Sequence, residues 1–344
     1  MSLGPYLTLN NGYEIPQLAY GTYDVAKNDV PNALKAAFGA GYRHFDCAML
    51  YGNEKEVGQA IADSMKEYNL KREDIFVTSK LWCDRHDPKD VKRSCEESLK
   101  DLGLEYLDLY LIHWPVSFYL ADGVGFYLDV PKTLVYDNIK LEDTWREMEK
   151  LVQAGLTKSV GVSNFNKRQL EHIIKHGKIV PAVNQIEVHL HFLNTKLIDF
   201  CHSKGIQVEA YSPFASPGYI KEKVKSLFQL EAVVEIANKH KVTPAQVLIR
   251  HALQRNIVVI AKSVTPERIH KNFDVLGFEL TKDEMDKLNN AGMNIRLFEI
   301  PASLLLIPTY RSKLNILKLE LGQFCWGILD RVRCIFADYI CSLK

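Results

Sequence analysis

No two cysteines in this chain sit at a CxxC or zinc-ligand spacing. The seven present (Cys47, Cys83, Cys95, Cys201, Cys325, Cys334 and Cys341) are odd in number and scattered. That argues against a disulfide framework or a structural zinc site and for reduced thiols in a reducing compartment. An excess of charge is missing too: 43 Lys and Arg stand against 42 Asp and Glu, a formal net charge of +1. A general nucleic-acid binder would carry a basic patch or stripe, so nucleic acid is not an expected partner. No apolar run approaches the ~18 residues of a membrane span. Met1-Ser2-Leu3-Gly4-Pro5 lacks a charged region followed by an apolar core, so no signal peptide is evident and the cytoplasm is the expected location. What is present is the composition of an ordinary globular protein, 344 residues of which 47% are hydrophobic. Such a length sets a soft prior of two domains, yet α/β barrels commonly fill about 250 residues or more as one unit.

Short apolar runs alternate along the chain with longer stretches of helical spacing. Strands are expected at Leu18–Thr22, His44–Cys47, Ile75–Lys80, Leu107–Ile112, Lys158–Val162, Ala182–Glu187, Gln207–Ala210 and Ile257–Ile260. Between them, Asn53–Tyr68 places Val57, Ile61 and Met65 on one helical face, and Pro88–Leu102 does the same with Val91, Cys95, Leu99 and Leu102. Leu141–Ala154, Asn166–His176, Thr195–Ser203, Leu230–His240 and a helix opening at Thr243-Pro244 continue the rhythm. Eight strands with intervening helices favour a closed (β/α)8 TIM barrel over an open sheet. Tyr6–Leu9 and Glu14–Pro16 flank Asn11-Gly12, a tight-turn pair, which predicts an N-terminal β-hairpin plugging one end of the barrel.

Barrel active sites sit on the loops that follow the strands. Four polar residues fall there: Asp46 at the end of the second expected strand, Tyr51 in the loop beyond it, Lys80 closing the third and His113 closing the fourth. Taken singly, each has a structural explanation: a solvated charge, a packed ring, a hydrogen-bonded carboxylate. Gathered at one barrel mouth they form a proton-transfer group. A tyrosine, with an ordinary pKa near 10, is a poor acid at neutral pH. A neighbouring Lys⁺ favours its anion and lowers that pKa, a carboxylate holds the Lys, and a histidine orients the acceptor. The expected roles are Tyr51 as general acid, Lys80 as its tuner, Asp46 as the Lys partner and His113 as the orienting donor. Such a set suits an oxygen that gains negative charge, as when hydride adds to a carbonyl. His189 and His191, alternating near Glu187, are read as structural or loop residues; no metal site is expected.

At these residues the chain resembles the aldo-keto reductase superfamily, and within it the aldose/aldehyde reductase-like group, from about Tyr6 to Arg296. Gly41-Tyr42-Arg43-His44-Phe45-Asp46 with Tyr51-Gly52-Asn53-Glu54 resembles a first signature, Gly161-Val162-Ser163-Asn164-Phe165 a second, and Ala261-Lys262-Ser263-Val264-Thr265-Pro266-Glu267-Arg268-Ile269 a third. Leu81-Trp82-Cys83 also follows the Lys as the family's pattern does. The resemblance implies NADPH-dependent reduction of aldehydes or ketones, with NADPH/NADP bound across the barrel's C-terminal face and no Rossmann fold; the chain has no GxGxxG after a strand. By position it implies cofactor contacts at Thr22, Asp46, Ser163, Asn164, Gln185, Tyr211, Ser212, Lys262, Ser263, Arg268 and Asn272. Ser163, Asn164 and Gln185 would hold the nicotinamide amide, Tyr211 would stack on the ring, and Lys262, Ser263 and Arg268 would take the 2′-phosphate. Tyr23, Leu50, Trp82, His113, Trp114, Phe126, Tyr127, Ile295 and Phe298 would line the substrate pocket, an apolar and aromatic lining suited to a small-molecule carbonyl. A monomer is expected.

Three positions depart from the family's pattern. Relatives often have Lys where this chain has Asp24 and an acid where it has Gly218, a pair that clasps the bound pyrophosphate. Here both are gone, which implies faster cofactor exchange or a different clasp built with Lys221 or Lys223. Lys271 stands where many relatives carry an acid or Gln near the adenine. The ending also departs: relatives stop soon after the residues matching Ile295–Phe298, whereas this chain continues to Lys344. The organisation expected is a barrel over residues 1–300 and an atypical C-terminal extension over 301–344. In the latter, Leu317, Leu321, Cys325, Ile328, Val332, Ile335 and Tyr339 recur at helical steps, weakened by Gly322 and Gly327. That pattern does not choose between packing on the barrel, a partner contact, a membrane surface or a variant end. A second functional reading is a regulatory or structural family member that binds cofactor with little turnover; a third runs the same chemistry mainly as alcohol oxidation or on steroid-like ketones.

Overall fold

A computed structural model describes residues 4–120, 134–216 and 224–298. The chain begins with the hairpin β1 (Tyr6–Thr8) and β2 (Glu14–Pro16), paired antiparallel with Leu7 opposite Ile15. Eight further strands close into a parallel barrel. In chain order they are β3 (Leu18–Gly21), β4 (His44–Asp46), β5 (Phe76–Leu81) and β6 (Leu107–Ile112), then, after the short pair β7 (Phe118–Leu120) and β8 (Leu134–Tyr136), β9 (Thr157–Ser163), β10 (Val183–Glu187), β11 (Gln207–Tyr211) and β12 (Val258–Ala261). The ring runs β3-β4-β5-β6-β9-β10-β11-β12 and returns to β3, where Ala19 faces Ile260 in register. The TIM barrel and N-terminal hairpin read from the sequence are what the chain forms.

Why these runs become strands follows from burial on both faces. Helices cover the outside and side chains fill the inside, so strands read as near-continuous apolar runs. Ile15, Ala19, Phe76, Leu109, Leu111, Val183 and Val258 form one fully or nearly buried cluster. A larger cluster includes Phe38, Phe45, Val77, Tyr110, Val160 and Val208 with the helix faces packed on it.

The helices are α1 (Val30–Ala40), α2 (Glu54–Glu67), α3 (Pro88–Leu102), α4 (Leu141–Gln153), α5 (Lys167–His176), α6 (Thr195–Ser203), α7 (Glu231–His240), α8 (Pro244–Gln254), α9 (Pro266–Phe273) and α10 (Lys282–Asn289). Their ends are written in the sequence. Asn166 with Gln169, Thr243 with Gln246 and Thr281 with Glu284 form reciprocal capping boxes at the starts of α5, α8 and α10. Neither α1 nor α10 was foreseen, whereas Pro266 in the third signature fits the first turn of α9. Several strand limits also move by a residue, because hydrogen-bond register rather than hydrophobicity sets them.

Candidate active site

The β5 residue Lys80 is completely buried, at 0% exposure. Its Nζ donates to Asp46 Oδ1 at 2.7 Å and Oδ2 at 2.8 Å, to the Cys47 carbonyl at 2.8 Å and to the Tyr51 hydroxyl at 3.1 Å. Strand pairing explains the meeting: β4 and β5 run side by side, with Asp46 opposite Thr78, so the end of β4 lies beside Lys80. Tyr51 arrives on a single 3-10 turn, Met49–Tyr51, ended by Gly52 at φ 64°, a left-handed conformation that suits glycine. His113, directly after β6, presents its ring edge-to-face to Tyr51 with centroids 6.0 Å apart. It also packs against Trp82 at 4.9 Å.

Three titrations are displaced. Burial opposes charge on Lys80, but the Asp46 carboxylate and the Tyr51 oxygen outweigh it and raise its pKa, so the ammonium persists. His113 is pushed well down by burial and by Lys80, so its ring is neutral. Tyr51 differs from the expectation. Burial raises its pKa by more than Lys80 lowers it, so the phenol holds its proton more tightly than a solvent-exposed tyrosine does.

Around this group the structure places the other residues singled out above. Thr22 Oγ1 donates to the Asp46 carbonyl at 2.9 Å. Ser163 Oγ donates to the Gln185 carbonyl at 2.8 Å. Asn164 sits at φ 65° and donates to the His113 carbonyl at 2.9 Å, while Tyr211 OH donates to its Oδ1 at 2.8 Å. Gln185 Nε2 donates to Asp46 Oδ1 at 2.8 Å. Ser212, also left-handed at φ 53°, accepts at Oγ from Ser216. Tyr20 donates to the Ser263 carbonyl at 2.8 Å, Asn272 is buried in α9, and Arg268 is exposed on that helix.

Lys262 points back at this chain's own departure. Its Nζ donates to the Asp24 carbonyl at 3.2 Å and lies 3.7 Å from the Asp24 carboxylate. Lys271 pairs along α9 with Glu267 at 2.8 Å. Gly218, Lys221 and Lys223 lie outside the described residues, as do Phe126, Tyr127 and the segment 301–344.

Trp82 and Cys83 form a small apolar cluster with Phe118, and Leu50 and Trp114 pack on it. Tyr23 meets the Tyr51 ring at 5.1 Å, and Phe298 meets Tyr211 at 5.7 Å. Four contributors were not anticipated. Phe118 lay in what reads as a variable loop, and its pairing with Tyr136 across 18 positions has no local signature. Glu187 is buried and accepts from the backbone N–H of Leu297 at 2.7 Å and of Phe298 at 3.0 Å, and from His189 at 2.8 Å. The third and fourth, His44 and Glu209, are fully buried inside the barrel. A charged residue within an otherwise buried strand was the available signal for Glu187 and Glu209.

The chain thus forms a closed parallel barrel with a buried ammonium braced between a carboxylate and a phenol at one mouth. The chain belongs to the Aldo/keto reductase family, whose family model matches residues 17–292. At that level it is an oxidoreductase of carbonyl compounds. Among curated proteins it is 44% identical over 294 residues to aldo-keto reductase family 1 member A1 of Xenopus tropicalis, covering 85% of this chain and 90% of that one. Among solved structures, an aldose reductase from Schistosoma japonicum is 47% identical with a TM-score of 0.79, covering 86% of this chain and 94% of that one. A Bombyx mori aldo-keto reductase solved in complex with NADP is 35% identical with a TM-score of 0.81, covering 88% and 97%.

Proposed function

We propose that this chain reduces aldehydes or ketones to alcohols with NADPH, Tyr51 supplying the proton. The observation that carries the reading is Lys80 Nζ, hydrogen-bonded at once to Asp46 and to the Tyr51 oxygen. NADPH, when bound, supplies the hydride.

The Lys80 contact occupies a lone pair of the Tyr51 oxygen, so the phenolic hydrogen stays available to a substrate oxygen. As that proton leaves, charge grows on an oxygen already facing a buried ammonium, and the Lys80 hydrogen bond strengthens in the transition state more than in the ground state. Asp46 keeps Lys80 charged and in place. His113, neutral beside Tyr51, orients the carbonyl by hydrogen bonding, and the aromatic wall of Trp82, Phe118 and Trp114 excludes water.

The donor set fits the dinucleotide. Fixed amides and hydroxyls at Ser163, Asn164 and Gln185 suit a carboxamide, and the Tyr211 ring suits stacking. Lys262 and Arg268 supply two cations near the N-terminus of α9, where backbone N–H groups add to an anion site. Support for NADP also comes from the Bombyx mori relative solved with it. We read residues 1–300 as the catalytic barrel.

Following NADPH consumption with a simple aromatic aldehyde, and NADH in parallel, tests the proposal. Turnover with a clear preference for NADPH is expected. Cofactor binding without turnover across a panel of carbonyls and alcohols would overturn it.

A further inference from the structure

Beneath Asp46 lies a second carboxyl that the proposed mechanism leaves unused. Glu209, in the middle of β11, is fully buried. Its Oε2 accepts from Gln185 Nε2 at 2.8 Å, and the same nitrogen donates to Asp46 Oδ1 at 2.8 Å. An amide nitrogen carries two hydrogens, so both are committed and the Gln185 carbonyl oxygen is what the side chain has left to offer a ligand.

The other Glu209 oxygen, Oε1, has no hydrogen-bond partner among the described residues and lies 3.6 Å from His44 Nε2. His44 Nδ1 faces the Pro16 carbonyl at 3.2 Å. A carbonyl only accepts, so Nδ1 carries the ring hydrogen, and Nε2 of the neutral ring presents a lone pair that the Thr78 hydroxyl meets at 3.0 Å. An ionised Glu209 would set one carboxylate oxygen toward that lone pair and the other on a donor shared with the Asp46 carboxylate. A protonated Glu209 removes that opposition of lone pairs and leaves one negative charge, that of Asp46, beside Lys80.

We propose that Glu209 is a positioning residue, held as a neutral acid, which commits the second Gln185 hydrogen so that a bound nicotinamide carboxamide meets only an acceptor there. The inference rests on the reading of this mouth as the NADPH site. The charged and titratable groups facing Glu209 are Asp46 and His44 on β4 and Lys80 on β5. Burial and the Asp46 charge push its carboxyl up to about 8, against the pull of Gln185 and Lys80. Burial takes His44 down to about 4, consistent with the same proton arrangement.

The test compares Glu209→Gln, which keeps a neutral acceptor for Gln185, with Glu209→Met, which fills similar volume and offers none. NADP⁺ affinity is measured by fluorescence titration beside adenosine 2′,5′-bisphosphate, which lacks the nicotinamide. Expected are a loss of NADP⁺ affinity of fivefold or more in Glu209→Met, recovery of most of it in Glu209→Gln, and no comparable change for the bisphosphate in either. Equal losses for both ligands, equal behaviour of the two variants, or no loss at all would overturn the role.

A second arm needs no cofactor and no folded Met variant. The folded pKa of Glu209 is raised, so its contribution to stability is present below the unfolded value and fades as pH rises toward 8. The melting temperature of Glu209→Gln should therefore gain on wild type between pH 5 and pH 8; a constant difference would overturn the neutral acid. If wild type itself fails to bind NADP⁺, the functional reading falls, while this arm still decides the protonation state.

Discussion

Lys80 lies near the end of β5 and Lys262 directly after β12, yet their surroundings differ. Lys80 is sealed among the Asp46 carboxylate, the Cys47 carbonyl and the Tyr51 hydroxyl. Lys262 is 36% exposed in its side chain and leans on Asp24, itself 69% exposed. An exposed pair of this kind is worth roughly 0–1 kcal/mol and is screened by salt. Its consequence lies in competition, since Asp24 opposes any phosphate for the same ammonium. Asp24→Asn is expected to tighten NADPH about two- to fivefold at low salt, with the gain shrinking as salt rises; unchanged or weaker binding in a titration would refute it. Asp46, Tyr51, Lys80 and His113 were legible in the sequence because each stands at or just past the end of a strand, where a barrel builds its site. Glu187 and Glu209 were not. Whether a strand residue faces the interior depends on register, and a five-residue run does not reveal it.

Elements show the same division between local signal and long-range geometry. The starts of α3 and α8 were legible from Pro88 and Thr243-Pro244, and their structural bounds follow closely. The pairing of β7 with β8 was not, because it depends on contacts across a long connection. Gly58 illustrates how packing overrides propensity. It lies inside α2, where Ala is intrinsically better by about 1 kcal/mol. A Cβ at that position would stand 2.4 Å from the Leu102 carbonyl oxygen at the end of α3, a backbone atom that cannot swing aside. Gly58→Ala is therefore expected to destabilise the protein by about 1–3 kcal/mol in denaturant unfolding, opposite in sign to the helix scale; a stabilised variant would show that the two helices separate easily.

Seen whole, the molecule buries titratable groups that make its stability depend on pH. Burial takes His44 and His251 down to about 4 and His86 to about 3, from an ordinary 6.5. Their folded pKa values lie below the unfolded one, so their contribution is complete above pH 6.5 and is lost as pH falls, since the unfolded chain binds the protons first. Each such group adds a slope of up to about 1.4 kcal/mol per pH unit in that window. Glu284, taken to about 2 as hydrogen bonds from Lys239, Thr281 and His240 outweigh its burial, adds a further loss below its ordinary 4.5. Urea unfolding at pH 7 and pH 5 is expected to show a clear fall in stability at the lower pH, and His251→Gln a smaller one; equal stability at both would contradict the buried neutral rings. The closed ring of eight strands was legible because strand and helix patterns alternate along the chain; the side-chain hydrogen bonding inside it was not.

The central claim is that the Tyr51 phenol, braced by Lys80, delivers the proton. The most direct measurement is kcat for NADPH-dependent aldehyde reduction by Tyr51→Phe, with NADP⁺ affinity determined alongside. The account predicts a fall in kcat of about 100-fold or more, with NADP⁺ binding within about threefold of wild type because the phenylalanine keeps the ring and removes only the hydroxyl. A variant that keeps most of its kcat would contradict it.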